Sequence, residues 1–291
     1  MQEFRSRTFT NITYYDMIQI SNITFGYKAA TPIYDGFSLD FKEGGVYGLL
    51  GKNGTGKSTL LYLISGLLRQ QHGTIFVDGA DSRRRSVAML RDVFIVPEEF
   101  DLPDITLEKF IRTNSPFYPR FSREVIESSL ADFGLSADVH LGTLSMGQKK
   151  KVYVSFALAT RTHVLLMDEP TNGLDIPSKS QFRKVVASNM ADDSTVIIST
   201  HQVHDVESLL DHVVVIGDGH TLLHASMAEL SGSYRFEVRK PGDDVSDALY
   251  VEHSLQGNAV VAPRREGDDE TSVNLELLFS AVTEGRLDTG K

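Results

Sequence analysis

The chain of 291 residues contains no cysteine. That excludes disulfides, thiolate metal sites, cysteine-ligated iron–sulfur clusters and thiol nucleophiles. Excess basic charge is missing too: 29 Lys and Arg stand against 39 Asp and Glu, a formal net charge of −10. The broad basic footprint that meets a nucleic-acid backbone is therefore absent, which argues against a nucleic-acid partner. No apolar run approaches the roughly 18 residues of a membrane-spanning helix. The longest candidates, residues 46–51 and 152–159, have the length of a core strand and a core helix. The polar N-terminus has no apolar signal region, so the chain is expected in the cytoplasm, with any membrane role supplied through another chain.

What is present is an ordinary globular balance, with 41% apolar and 23% charged residues. The length suggests roughly two domain-sized units and a core that needs no covalent staple. Residues 1–16 read as an N-terminal extension before the alternating Ile18, Ile20, Ile23 and Phe25. Strands are expected at 45–50, 74–77, 93–96, 164–167, 195–199 and 213–216, with helices at 58–68, 123–133, 148–159, 178–189 and near 203–210. Residues 98–160 carry Pro103, Pro116 and Pro119 and read as a mostly helical insert. Strands alternating with helices imply a parallel sheet covered on both faces. After residue 231 the style shifts to short strand-like runs and an apolar face at Leu275, Leu278, Phe279 and Val282. Residues 232–291 therefore read as a small docking appendage. Arg83, Arg84 and Arg85 read as a solvated turn or helix face.

Residues Gly51, Lys52, Asn53, Gly54, Thr55, Gly56, Lys57 and Ser58 fit G-x-x-x-x-G-K-[ST], with Thr59 following. Glycines let backbone N–H groups turn inward around a β-phosphate, and the helix that follows aims its positive end at the same anion. Lys57 supplies a mobile charge to the β- and γ-phosphates, and the Ser58 hydroxyl is a ligand for Mg²⁺. The loop sits after an apolar strand and before an apolar helix, the context this chemistry needs.

The apolar run at 164–167 ends in Asp168 and Glu169. Alone, such a strand tip is common. Paired with the phosphate loop, Asp168 reads as part of the Mg²⁺ shell and Glu169 as the base that activates or orients a water. His201 follows the next expected strand, where an imidazole can contact a γ-phosphate and sense its loss.

Together these residues resemble the ATP-binding cassette (ABC) ATPases, over about residues 18–231. The most diagnostic element is Leu144-Ser145-Met146-Gly147-Gln148, which resembles the LSGGQ signature. Gly173-Leu174-Asp175 looks like the D-loop, His201 matches the switch histidine, and Tyr27 matches the aromatic that stacks on adenine. The resemblance implies a P-loop NTPase (RecA-like) α/β core with a mixed, mostly parallel sheet. It also implies an antiparallel β subdomain, a helical subdomain at about 98–160 within an ATPase domain at 17–231, and a small C-terminal α+β extension. It implies binding and hydrolysis of Mg²⁺-ATP. Two copies, or this chain and a related cassette, would clamp nucleotide between one phosphate loop and the other chain's Ser145, Gly147 and Gln148, with Asp175 nearby. The partner implied is an integral membrane permease on whose cytoplasmic side the chain would sit, docked around residues 98–121.

Two residues depart from the family pattern. Met146 replaces a signature glycine, and Glu98 stands where a glutamine is usual; a carboxylate there can still ligate Mg²⁺. The Pro97-Glu98-Glu99 form and the C-terminal helix resemble the bacterial ABC-2-type exporter group, so export is expected ahead of import. A soluble ABC ATPase acting on ribosomes or DNA is the alternative. It fits less well, because one phosphate loop and one signature occur and the chain is acidic. A non-hydrolysing nucleotide-gated scaffold is disfavoured by Asp168, Glu169 and His201.

Overall fold

The computed structural model describes residues 16–28, 31–255 and 257–287. The extension expected at 1–16 therefore lies, except for Asp16, outside the described residues. Strand β1 (Asp16–Phe25) buries Ile18, Ile20 and Ile23 and pairs antiparallel with β2 (Tyr34–Lys42). Next come β3 (Gly45–Leu50), the loop at 51–56, and α1 (Lys57–Ile64). Then follow β4 (His72–Val77), the short β5 (Ala80–Asp81), α2 (Val87–Asp92) and β6 (Val93–Val96). Strands β2, β1, β4 and β5, in that order, form an antiparallel sheet.

Helices α3 (Leu107–Asn114), α4 (Arg123–Asp132) and α5 (Met146–Ala159) fill the stretch before β7 (Val164–Asp168). Helix α6 (Ile176–Asn189) leads to β8 (Thr195–Thr200), β9 (His212–Gly217) and β10 (His220–Ser226). The central sheet has the order β10-β9-β3-β8-β7-β6, parallel from β9 to β6 and antiparallel at β10. The chain continues through α7 (Met227–Ser233), β11 (Tyr234–Arg239), β12 (Tyr250–Ser254) and β13 (Gly257–Pro263) to α8 (Leu275–Thr283). The last three strands form a separate antiparallel sheet, β11-β13-β12. Fold class is as expected: α/β, with mixed sheets and helices. Among the described residues no helix is long and apolar enough to cross a membrane.

Strand periodicity divides the core. Tyr47 and Leu49 of β3, Leu166 of β7 and Ile197 of β8 face α1 and the four-stranded sheet. Val46, Leu50, Met167, Val196 and Ile198 face the opposite layer, with α4, α5, α6 and α8. Alternate residues therefore serve opposite apolar layers, which is why these strands read as unbroken hydrophobic runs.

Several expectations need correction. Helix α1 stops at Ile64 rather than running to 68, because Gly66 takes a left-handed φ of +72° and Leu68 N–H turns back to Tyr62 O at 3.0 Å. Residues 203–210 form two 3₁₀ turns, Val203–Asp205 and Glu207–Leu209, rather than one helix. Val206, at φ −125° and ψ −7°, breaks the helical path between them. Helix α3 falls inside the stretch expected to be mostly helical but has no individual expectation; Thr106 caps it at Lys109 N, and Leu107, Phe110 and Ile111 give it a buried face. Strand β10 and helices α2 and α7 were also missed. In α8 the buried face is Leu275, Leu277, Leu278, Ala281 and Val282, with Phe279 only half-buried. Ser82–Arg84 form a 3₁₀ turn in which Arg83 pairs with Asp81 at 3.1 Å and Arg85 reaches Gly66 O at 3.3 Å.

Candidate active site

Parallel register brings three strand ends together. Leu50 pairs with Thr200, and Asp168 pairs with Ser199. The loop after β3, the acids at the tip of β7 and His201 after β8 therefore open on one edge of the sheet, where α/β sheets bind ligands.

The loop is shaped before any phosphate arrives. Gly56 sits at φ +101°, and a Cβ there would lie 2.7 Å from both Ile33 Cγ2 and the Tyr34 hydroxyl. The Tyr34 hydroxyl instead donates to Gly56 O at 2.9 Å. Among the described residues no side chain caps the start of α1, so its first N–H groups are left to an anion. Lys57 Nζ is buried and donates to Gly51 O at 2.8 Å and Lys52 O at 3.3 Å. Burial pulls the Lys57 ammonium below its ordinary pKa, while the charges of Glu169, Asp168 and Glu98 oppose that shift. Thr55 Oγ1 closes the loop onto Lys52 O at 2.9 Å. Lys52, Asn53 and Gly54 form the exposed rim, and Thr59 is buried beneath it.

Asp168 Oδ1 accepts from Ser58 Oγ at 3.0 Å and from Ser199 Oγ at 2.5 Å. Burial raises the Asp168 pKa; these two hydrogen bonds lower it, and the nearby Glu98 and Glu169 charges raise it further. Among the described residues no group of three or more His, Asp or Glu side chains is arranged to hold a metal ion. Ser58 and Asp168 do present two hard oxygens, which suits Mg²⁺, an ion that takes its other ligands from water and phosphate.

Glu169 holds a left-handed φ of +44°, a conformation costing a non-glycine residue about 1–3 kcal/mol. Its carboxylate is almost fully enclosed. Oε2 accepts from Thr200 Oγ1 at 3.1 Å, while Oε1 accepts from His201 N–H at 3.0 Å and lies 2.7 Å from His201 Nδ1. The expected acid and histidine are thus in direct contact.

The remaining candidates sit on several different elements. Tyr27 is 65% exposed, and its hydroxyl lies 3.3 Å from Thr59 Oγ1, which puts an open aromatic face beside the loop. Ser145 caps α5, and it forms a reciprocal capping box with Gln148: Ser145 Oγ accepts from Gln148 N–H at 3.3 Å, and Gln148 Oε1 accepts from Ser145 N–H at 3.0 Å. Met146 is exposed and Gly147 half-buried. Asp175 caps α6 through Ser178 N–H at 2.9 Å. Glu98 accepts from Asn172 Nδ2 at 2.8 Å. Among the described residues the 145–148 segment and the phosphate loop share no hydrogen bond, so the structure joins loop, acids and His201 while leaving the 145–148 segment on a separate element.

Sequence reasoning missed Ser199, Thr200, Asn172 and Lys150. The first two are small hydroxyls inside an apolar strand, and only the pairing of β7 with β8 reveals that they face the acids.

The profile of the ABC transporter family matches residues 34–172. The cobalt import ATP-binding protein CbiO of Salmonella paratyphi A is 34% identical over 224 residues, covering 74% of this chain and 82% of that protein. The Nod factor export ATP-binding protein I of Burkholderia orbicola is 32% identical over 193 residues, covering 64% of each. The solved structure of cbiO1 from Clostridium perfringens, described as part of the ABC transporter complex cbiONQ, superimposes with a TM-score of 0.61. It shares 27% identity and covers 72% of this chain and 88% of that one.

Proposed function

We propose that this chain, which belongs to the ABC transporter ATP-binding family, is the Mg²⁺-dependent ATPase subunit that closes as a dimer around ATP to drive a separate membrane permease. ATP binding and hydrolysis come with the family. The observation that carries the Mg²⁺-dependent chemistry is the Ser58–Asp168 hydrogen bond of 3.0 Å, which ties the phosphate loop to the acid-tipped strand, while dimer closure and the permease rest on the family likeness. In this reading residues 17–231 are the ATPase unit, 98–160 its helical part and 232–291 an added α+β segment. The chain works from the cytoplasmic side of the membrane.

ATP lays its base on Tyr27 and its phosphates against the N–H groups of Gly51, Lys52, Asn53, Gly54, Thr55, Gly56 and the start of α1. The Lys57 ammonium exchanges its two carbonyl partners for β- and γ-phosphate oxygens, which relieves its desolvation. Bound Mg²⁺, held by Ser58 and Asp168 with Glu98 alongside, would neutralise charge on the phosphates. Glu169, oriented by Thr200 and His201, accepts a proton from the attacking water. His201 links the γ-phosphate to Glu169. Ser145, Gly147 and Gln148 of a second copy bring the start of its α5 to the other side of the γ-phosphate, with Asp175 adjacent. Loss of phosphate removes that bridge and the dimer opens.

Glu169→Gln tests this reading. Turnover is expected to fall about 10²- to 10⁴-fold, while Mg²⁺-ATP binding persists and the variant becomes dimeric by light scattering when ATP is added. A variant that binds ATP only as a monomer defeats the dimer. Affinity capture from native membranes tests the permease: an integral protein is expected, and ribosomal proteins in its place favour the soluble alternative. Export is supported by Pro97-Glu98-Glu99 and by the likeness to a Nod factor export protein. Import is the second reading, favoured by the higher identity to CbiO. Uptake against efflux of the captured permease's substrate in inverted vesicles separates them.

A further inference from the structure

Residues 149–151 are three consecutive lysines at the start of α5, and one of them points inward. Lys149 and Lys151 are partly exposed, and Lys151 reaches Gln181 at 2.9 Å. Lys150 is only 5% exposed. Its Nζ donates to Asn172 O at 2.8 Å and to Glu169 O at 3.3 Å. Asn172 in turn donates from its side chain to Glu98 at 2.8 Å. One ammonium therefore joins the helix capped by Ser145, the peptide of Glu169 and, through Asn172, the loop after β6.

A buried ammonium costs desolvation free energy that a methionine of similar shape would not. Burial does pull the Lys150 pKa down, and the carboxylates of Glu98, Glu169 and Asp168 counter it. Packing alone gives no reason for a charge here. Position does. Glu169 sits at a left-handed φ with its N–H donating to Ser199 O at 3.1 Å, so β8 holds one side of the residue and Lys150 holds its carbonyl.

We propose that Lys150 is a positioning residue for Glu169, fixing the Glu169 peptide to the start of α5. Ser145 in the same helix serves the nucleotide held by the partner, whereas Glu169 serves the chain's own. Lys150 thus ties the helix that carries Ser145 to the peptide of Glu169. This rests on the roles given above to Glu169 and to the segment around Ser145.

The test compares Lys150→Met with Lys149→Met on the full chain, by steady-state ATPase kinetics and, for the Lys150 change in the Glu169→Gln background, by single-turnover kinetics. Misplacing Glu169 is expected to lower kcat of Lys150→Met about 10- to 100-fold. KM for ATP should stay within about threefold, and Lys149→Met should match wild type. In the Glu169→Gln background the Lys150 change should add no further loss in single-turnover rate, because both act through one group. Wild-type kcat in Lys150→Met, or an additive loss in that background, overturns the proposal while leaving Glu169 as the base. If Lys150→Met does not fold, Lys150→Gln, which keeps an N–H donor, is read by the same additivity test. A wild-type chain without ATPase activity overturns this proposal and the ATPase reading together.

Discussion

Ser199 donates to Asp168 Oδ1 at 2.5 Å across the β7–β8 pair, 31 positions along the chain. The same oxygen accepts from Ser58, so a carboxylate that burial pushes toward protonation is kept ready to ionise by two hydroxyls, one from the first turn of α1 and one from β8. Ser199→Ala leaves the proposed ligands in place and removes this support. Loss of such an outer partner typically costs about 10- to 100-fold in metal affinity. The Mg²⁺ concentration for half-maximal ATP binding should rise by that factor, with Mg²⁺-free nucleotide binding unchanged, as measured by fluorescent-nucleotide titration.

A second prediction concerns the phosphate loop. Gly56→Ala forces a Cβ toward Ile33 and the Tyr34 hydroxyl at a φ that L-residues rarely adopt. The strain should cost about 1–3 kcal/mol, seen as a lower denaturation midpoint. The loop would also relax away from its cradle shape, so calorimetric titration should detect no ATP binding to protein whose circular dichroism remains native.

Acid should destabilise the opposite end of the sheet. His212 stacks on Tyr47, with centroids 4.5 Å apart and planes 12° from parallel, and His224 lies 6.3 Å from the same ring. They line a cavity of about 760 Å³ with Lys42, Glu43, Asp211 and Glu229. Burial lowers both imidazole pKa values; Lys42 adds to the shift, and Glu229 opposes it at both, with Asp211 opposing it at His212. The unfolded chain therefore takes up protons first. The stability these neutral imidazoles contribute is present above the ordinary value of 6.5 and is lost as pH falls through it toward the folded values. Thermal midpoints between pH 8 and pH 5.5 should decline on acidification. The His212→Gln, His224→Gln double variant should show a shallower decline.

Much of the catalytic edge was legible because each element is local. Gly51 to Ser58 is contiguous, and an apolar run ending in Asp168 and Glu169 announces a strand tip. What escaped notice was set by pairing across distance. Ser199 and Thr200 look like ordinary strand residues until β8 is placed beside β7. Nothing in three successive lysines shows that Lys150 turns inward, because that depends on the carbonyls of Glu169 and Asn172 being brought beside α5 from 19 and 22 positions away. The helix near 203–210 was misread for a related reason. Its composition allows a helix, but Val203 and Val206 are drawn into the core and Glu207 is taken up by the Leu275 N–H at 3.0 Å.

That last contact reaches beyond local geometry. Glu207 receives the start of α8, and Leu275, Leu278 and Val282 lie in the same apolar layer as Val203, Val206 and Leu223. A shortened version ending at Ser231, the obvious way to prepare a minimal catalytic fragment, would strip this cover and leave a greasy scar directly downstream of His201. Such a fragment would tend to clump, and its sluggish turnover would be mistaken for a property of the intact enzyme.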